Sequence, residues 1–169
     1  IIEEIEKGSK CQIIAPTGSG KSTLIAELAE KYNGVIIVPY LATTKLYEEK
    51  YHLKIITSNN RNEYNPSEPC VMVWDQAIFF YFYYRKVVFL DESHELFLER
   101  DFRERAIILM NQLKGLDNLI CVTATPADEA KILGIENILK FNNKRKKDVN
   151  TIFYIYEYRS QMILSIQKE

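Results

Sequence analysis

Six short apolar segments recur along the chain up to residue 123, and more polar stretches separate them. The segments span residues 11–15, 35–39, 53–57, 70–74, 86–90 and 119–123. They are rich in valine and isoleucine, and apolar residues do not alternate with polar ones. Strands that are buried on both faces of a parallel sheet show this pattern. The sequence therefore predicts a mostly parallel sheet.

Two of the intervening stretches have the apolar period of an amphipathic helix. The first stripe consists of Leu24, Ile25, Leu28, Ala29 and Tyr32. The second consists of Phe102, Ala106, Leu109 and Leu113. Asn33-Gly34 and Gly115 follow the two stripes, where residues that end helices are expected. Alternating strands and helices predict a doubly wound α/β domain with helices on both faces of the sheet, to which we assign residues 1–140.

Three further segments have less regular patterns. Residues 77–86 (AIFFYFYYRK) are almost all aromatic, and we favour a helix packed between the sheet and a neighbouring element over a base-stacking surface. Residues 98–105 (LERDFRER) place opposite charges four apart, which predicts a solvated helix face. Residues 141–150 are polar and basic, which predicts a linker. In residues 151–169 we expect a strand and then a helix, as the start of a second domain.

Composition narrows the class of protein. The 169 residues carry a formal net charge of −1 and are 47% hydrophobic, which is typical of a soluble globular domain. No apolar stretch is long enough to span a membrane, and we expect no membrane partner. The three cysteines are far apart in sequence, so we expect reduced thiols and an intracellular setting, either cytoplasmic or nucleoid-associated. A phage- or virus-encoded protein fits the same pattern.

The stretch APTGSGKST, residues 15–23, follows the first predicted strand and opens the first predicted helix. This placement is typical of a loop that binds phosphate groups through backbone N–H groups and the helix N-terminus. We expect ATP to contact every residue of the loop from 16 to 23, namely Pro16, Thr17, Gly18, Ser19, Gly20, Lys21, Ser22 and Thr23. Lys21 would reach the terminal phosphates, and the Ser22 hydroxyl would ligate Mg²⁺.

One position of this loop departs from the general pattern G-x-x-x-x-G-K-[ST], because Ala15 replaces the first glycine. A Gly/Ser turn before a helix is the structural alternative to a phosphate site. That alternative does not account for a lysine followed by two hydroxyl residues, so we favour the phosphate site.

A second polar cluster, DESH at residues 91–94, follows the fifth apolar segment. Carboxylates at the end of a parallel strand near a phosphate loop suit a magnesium site, with Asp91 binding the metal and Glu92 activating water. A zinc site is disfavoured, because the only other histidine, His52, is far away in sequence. A helix cap formed by Asp91 or Ser93 is compatible with magnesium binding.

These motifs, together with TAT at residues 123–125, resemble the first RecA-like domain of superfamily 2 DExH-box helicases and translocases. The order of the motifs fits, as do the spacings of 70 positions from Lys21 to Asp91 and 32 from Asp91 to Thr123. The resemblance covers roughly residues 8 to 140 and implies an ATPase that moves along or unwinds nucleic acid. It also implies that His94, Thr123, Ala124 and Thr125 couple hydrolysis to domain movement.

The resemblance extends to two segments that contact nucleic acid in the family. Residues 38–49 resemble motif Ia, and residues 71–77 resemble a TYDQL-type segment, although Tyr40, Val73 and Trp74 depart from the usual residues. The implied nucleic-acid contacts are Pro39, Tyr40, Thr43, Trp74, Asp75 and Gln76. We favour DNA over RNA as the polymer, by analogy with DNA translocases.

The family also requires a second RecA-like domain that carries an arginine finger. We expect this domain in the same full-length chain, and we expect the isolated 169-residue chain to bind nucleotide but hydrolyse it poorly. Three alternatives keep the phosphate loop: a translocase subunit of a restriction or packaging machine, a nucleotide switch without turnover, and a phosphate-loop kinase.

Overall fold

The computed structural model describes residues 1–82, 87–99, 103–141, 153–156 and 162–165. Seven strands form one parallel sheet in the order β3-β4-β2-β5-β6-β1-β7. They are β1 (Cys11–Ile14), β2 (Val35–Val38), β3 (Lys54–Ile56), β4 (Cys70–Val73), β5 (Val88–Asp91), β6 (Leu119–Thr123) and β7 (Asn137–Lys140). Each of the six predicted apolar segments overlaps one of these strands, and the predicted parallel sheet is confirmed.

The described residues form seven α-helices and one short 3-10 helix, of which all but α1 lie between strands. The α-helices are α1 (Ile2–Lys7), α2 (Lys21–Tyr32), α3 (Leu41–Tyr51), α4 (Trp74–Ala77), α5 (Ser93–Glu99), α6 (Glu104–Lys114) and α7 (Glu129–Leu133), and the 3-10 helix is Arg61–Glu63. Both predicted helices are present, as α2 and α6. None of the helices described is long and apolar enough to cross a membrane.

The sheet separates two apolar clusters, which explains why its central strands are apolar at nearly every position. In β2, Val35 and Ile37 belong to the cluster that contains Leu109 and Leu113 of α6. Ile36 and Val38 belong to the cluster that contains Ile25 of α2. Successive side chains of a strand point to opposite faces, so a sheet covered on both faces needs apolar side chains at every position.

Three expectations about particular segments differ from the structure. Of the aromatic helix predicted over residues 77–86, only Ala77 is helical, as the last residue of α4; residues 78–82 are not helical, although Phe80 and Phe82 are buried in the core. Residues 83–86 lie outside the described ranges. Strand β7 was not predicted, because its residues are largely exposed and it lies at the sheet edge. In the C-terminal segment β8 (Phe153–Tyr156) is a strand as expected, but β9 (Met162–Ser165) pairs with it antiparallel where we expected a helix.

Two other expectations fall on residues outside the described ranges. These are the basic linker, of which only Phe141 is described, and the Phe102 position of the second helical stripe. Of the predicted charge pairs in residues 98–105, the structure describes Glu99 with Arg103, whose side chains lie 2.7 Å apart on the surface.

Candidate functional site

The motifs predicted from the sequence follow three strands that end at the same edge of the sheet. The order β5-β6-β1 places the ends of these strands side by side, with Asp91 opposite Val122 and Ile14 opposite Thr123. The carboxyl ends of parallel strands form the crevice in which ligands of open α/β sheets bind. The phosphate loop, the DESH cluster and the TAT segment therefore meet at one site.

The phosphate loop leads from β1 directly into α2, as predicted. Gly18 and Gly20 have φ angles of 73° and 90°, a left-handed backbone that glycine adopts without steric cost. Ala15 needs no such freedom, because its backbone N–H donates to the Thr123 carbonyl at 3.0 Å and continues the sheet pairing of β1. The replacement of the first glycine by alanine is therefore compatible with the loop.

Lys21 is buried within its own loop. Its Nζ donates to the carbonyl oxygens of Ala15 at 3.0 Å and Pro16 at 3.2 Å. A cavity of about 120 Å³ lies beside it, with Leu24 and Phe141 in its wall. Sites for drug-sized ligands are typically about 300–1,000 Å³, so this cavity is too small for a nucleoside triphosphate.

Asp91 is buried at the end of β5, and its two carboxylate oxygens have different partners. Oδ1 accepts a hydrogen bond from the Glu92 backbone at 3.1 Å. Oδ2 accepts one from the Tyr47 hydroxyl of α3 at 2.7 Å. Burial raises the pKa of the Asp91 carboxyl above its ordinary value, and the Tyr47 hydrogen bond opposes that rise.

Ser22 lies near the same carboxylate, since its side chain is close enough to the Tyr47 hydroxyl to oppose the rise in that group's pKa. One phenol group therefore neighbours both side chains that were predicted to bind Mg²⁺. A hydroxyl and a carboxylate are the oxygen donors that Mg²⁺ prefers, with water completing its coordination. The residues present fit a magnesium ion.

Glu92 occupies a left-handed backbone conformation with φ of 46°. This conformation is uncommon for residues other than glycine, asparagine and aspartate, and such strain tends to cluster at functional sites. Helix α5 begins at the next residue, Ser93. The side chain of Glu92 is partly exposed, so it is accessible at the edge of the site.

His94 connects the DESH cluster to the TAT segment. Its Nδ1 lies 2.9 Å from the Thr123 hydroxyl, and its Nε2 lies 3.3 Å from the Glu95 carboxylate. The Thr123 hydroxyl also exchanges hydrogen bonds with the backbone N–H and carbonyl of Thr125, at 3.1 and 3.2 Å. The structure thus brings together His94, Thr123 and Thr125, three of the four residues to which the resemblance assigns coupling, while Ala124 lies between the two threonines.

A buried carboxylate that the sequence did not indicate makes a second connection between these segments. Glu129, at the start of α7, is 0% exposed. Its Oε1 accepts a hydrogen bond from the Ser93 hydroxyl at 2.9 Å, and its Oε2 accepts one from the Ala127 backbone at 2.6 Å. Ser93 therefore starts α5 but turns its hydroxyl towards α7. Tyr47 was also missed, because its contact with Asp91 spans 44 positions of sequence.

The predicted nucleic-acid contacts lie at the ends of β2 and β4, on the same edge of the sheet. Tyr40 is 51% exposed and donates to Glu95 at 3.2 Å. Asp75 and Gln76 are partly exposed, and Gln76 accepts a hydrogen bond from Arg61 at 2.9 Å. Trp74, in contrast, is 5% exposed and packs in the core. A buried indole is not available to a polymer, so the Trp74 contact is not supported.

Comparison with known proteins finds no matching family and no matching curated relative. Among solved structures, the chain is similar to the crystal structure of a hypothetical ATP-dependent RNA helicase from Sulfolobus tokodaii, with a TM-score of 0.60 and 16% sequence identity. The match covers 83% of this chain and 50% of that one, so this chain spans about half the length of that structure. At this identity the likeness concerns the fold, which is an α/β RecA-like domain.

Proposed function

We propose that this chain is the first motor domain of a superfamily 2 helicase or translocase of the DExH-box type, which couples Mg²⁺-dependent ATP hydrolysis to movement on nucleic acid. The observation that supports this most strongly is the meeting of Lys21, Asp91, Glu92 and Thr123 at the ends of three adjacent parallel strands. The RecA-like fold and the likeness to a helicase structure agree with it.

The phosphate loop has the groups needed to bind a triphosphate. The glycines leave the backbone N–H groups of the loop accessible, and α2 adds the partial positive charge of its N-terminus. Lys21 Nζ would exchange the carbonyls of Ala15 and Pro16 for phosphate oxygens. This exchange requires the side chain to turn away from the two carbonyls that it now contacts.

Ser22 and Asp91 would hold magnesium next to the phosphates. Bound there, the ion would neutralise charge on the phosphate oxygens. Glu92 would orient the attacking water and accept its proton, since its carboxylate directly follows the metal-binding residue and remains accessible. Because His94 contacts the Thr123 hydroxyl, ATP hydrolysis at this site would be coupled to the position of the TAT segment.

The polymer would cross the edge of the sheet beside the nucleotide. Tyr40 and Thr43 follow β2, and Asp75 and Gln76 follow β4, which is its neighbour in the sheet. We favour DNA, with RNA as the alternative for the test to decide. In this proposal a second RecA-like domain supplies the arginine finger, which can be worth a factor of about 10³ or more in rate.

ATP turnover tests the proposal. We expect the isolated chain to bind ATP with Mg²⁺ and to hydrolyse it poorly. In a longer protein that contains both motor domains, we expect single-stranded DNA, duplex DNA or RNA to stimulate ATP turnover. Glu92→Gln should preserve nucleotide binding and lower turnover by about 100-fold or more, because the amide cannot accept the proton. Glu99→Gln is the matched control at the far end of α5 and should retain wild-type turnover.

Two results would contradict the proposal. Absence of ATP binding in the presence of Mg²⁺ would exclude a nucleotide site altogether. ATP turnover that no polymer stimulates, in a protein that contains both motor domains, would exclude the motor role and leave a different phosphate-loop enzyme.

A further inference from the structure

Tyr47 is an unusual residue to find between two metal-binding side chains. It lies in the middle of α3, is 0% exposed, and stacks at a tilt against Tyr51 with ring centroids 5.6 Å apart. Its hydroxyl donates to Asp91 Oδ2 at 2.7 Å, and the Ser22 side chain lies near enough to oppose the rise in the Tyr47 pKa. A polar group at such depth is costly unless it has a partner, and here the partner is a carboxylate assigned to magnesium.

We propose that Tyr47 is the positioning residue of the magnesium site, holding the Asp91 carboxylate beside Ser22 in the arrangement that binds the ion. The inference rests on the proposed function of this site. It differs from that function because it assigns a role to a residue outside the phosphate loop and the DESH cluster.

The geometry supports positioning for two reasons. First, the hydrogen bonds to Tyr47 and to the Glu92 backbone use one oxygen each of the Asp91 carboxylate, so together they fix its rotation. Second, α3 is itself anchored to α2, because the Tyr51 hydroxyl lies 2.8 Å from the Thr23 hydroxyl. Hydrogen bonds to metal-binding groups commonly change metal affinity by about 10–100-fold.

The test compares nucleotide binding with and without magnesium. Tyr47→Phe removes the hydroxyl and keeps the buried ring. The dissociation constant of a non-hydrolysable ATP analogue would be measured by calorimetry in excess Mg²⁺ and again in excess EDTA. We expect Tyr47→Phe to weaken binding in Mg²⁺ by about tenfold. Binding in EDTA should stay at the wild-type value, which also shows that the variant is folded.

Tyr51→Phe is the matched control, since it removes a hydroxyl one turn further along the same helix. Its partner is Thr23 rather than the carboxylate, so the ratio of the two dissociation constants should remain that of the wild type. A general loosening of α3 would change the dissociation constants of both tyrosine variants alike. It would also change them equally in Mg²⁺ and in EDTA.

The outcomes separate this inference from the proposed function. If the wild-type protein shows no magnesium-dependent nucleotide binding, the proposed function and the inference both fail. If the wild type shows it and Tyr47→Phe keeps the wild-type ratio, only the inference fails. If Tyr47→Phe binds more tightly in Mg²⁺, the hydroxyl competes with the ion for Asp91, which overturns the positioning role.

Discussion

At the scale of single residues, the backbone of Glu92 has a conformation that is unfavourable for a glutamate. Its φ of 46° lies in the left-handed region, where the Cβ atom crowds the following carbonyl. The conformation is maintained by its neighbours, because the Asp91 carboxylate accepts from the Glu92 N–H and α5 begins at the next residue. The sequence predicted the role of this carboxylate but could not predict its backbone.

This strain predicts a trade-off between stability and function at position 92. Glu92→Gly and Glu92→Ala both remove the carboxylate, but only glycine removes the Cβ atom. We expect Glu92→Gly to be more stable than Glu92→Ala by about 1 kcal/mol, while both lose ATP turnover. Chemical denaturation of the two variants measures the difference. Equal free energies of unfolding would show that the left-handed backbone carries no strain.

At the scale of elements, Glu129 joins α5 to α7 in the interior of the protein. The Ser93 hydroxyl that it accepts from is 0% exposed, so bulk water does not reach this hydrogen bond in the folded protein. We expect Glu129→Ala to lower the free energy of unfolding by about 1–3 kcal/mol, the cost of a buried unpaired group. The exposed Glu136, changed to alanine, is the control and should stay within about 0.5 kcal/mol of the wild type.

A double variant distinguishes this hydrogen bond from general packing effects. When Ser93→Ala accompanies Glu129→Ala, the unpaired hydroxyl is removed together with its acceptor. The double variant should therefore lose less stability than the sum of the two single variants. Strict additivity would mean that the two residues contribute independently.

The elements that the sequence predicted are those whose burial leaves a clear pattern. The apolar segments of β1, β2, β4, β5 and β6 are buried on both faces, and α2 and α6 have an apolar stripe with an end signal. Strand β7 has neither property, because it lies at an edge and three of its four residues are exposed. Its place depends on pairing with β1, a contact that no local pattern encodes.

The aromatic segment shows a different limit. Residues 77–82 are apolar at nearly every position, and a periodicity argument cannot distinguish a buried helix from a buried irregular segment. In the structure Phe80 and Phe82 pack in the core, whereas Tyr81 is 77% exposed. Burial was predicted correctly for part of this segment, but its conformation was not.

The sequence predicted the functional residues of the site where they directly follow a strand. Asp91 was predicted because a parallel sheet gathers the carboxyl ends of its strands at one edge. Lys21 was predicted from the phosphate-loop motif, and Thr123 from the resemblance to superfamily 2 helicases. Tyr47 and Glu129 could not be predicted, since each contacts its partner across more than 30 positions and belongs to no motif. Such contacts depend on how helices pack against the sheet.

At the scale of the whole molecule, the reactivity of the three thiols measures how often the strands of the sheet separate. Cys11 lies on β1, Cys70 on β4 and Cys121 on β6, and all three are buried. Burial raises the pKa of the Cys11 thiol to about 11 and that of the Cys121 thiol well above its ordinary value. At pH 8 both groups are therefore protonated, and the protonated form reacts poorly with thiol reagents.

We expect the native protein at pH 8 to resist alkylation and the denatured protein to react at three thiols per chain. Raising the pH towards 9 should accelerate alkylation of the denatured protein, because thiols with ordinary pKa values near 8.5 then ionise. Native Cys11 and Cys121 should remain protected from alkylation at that pH. Mass spectrometry of intact protein after a timed pulse of reagent measures both rates. Because reaction requires the strands to separate, the native rate reports the free energy of opening. Rapid modification of one native thiol would show that its strand opens without global unfolding.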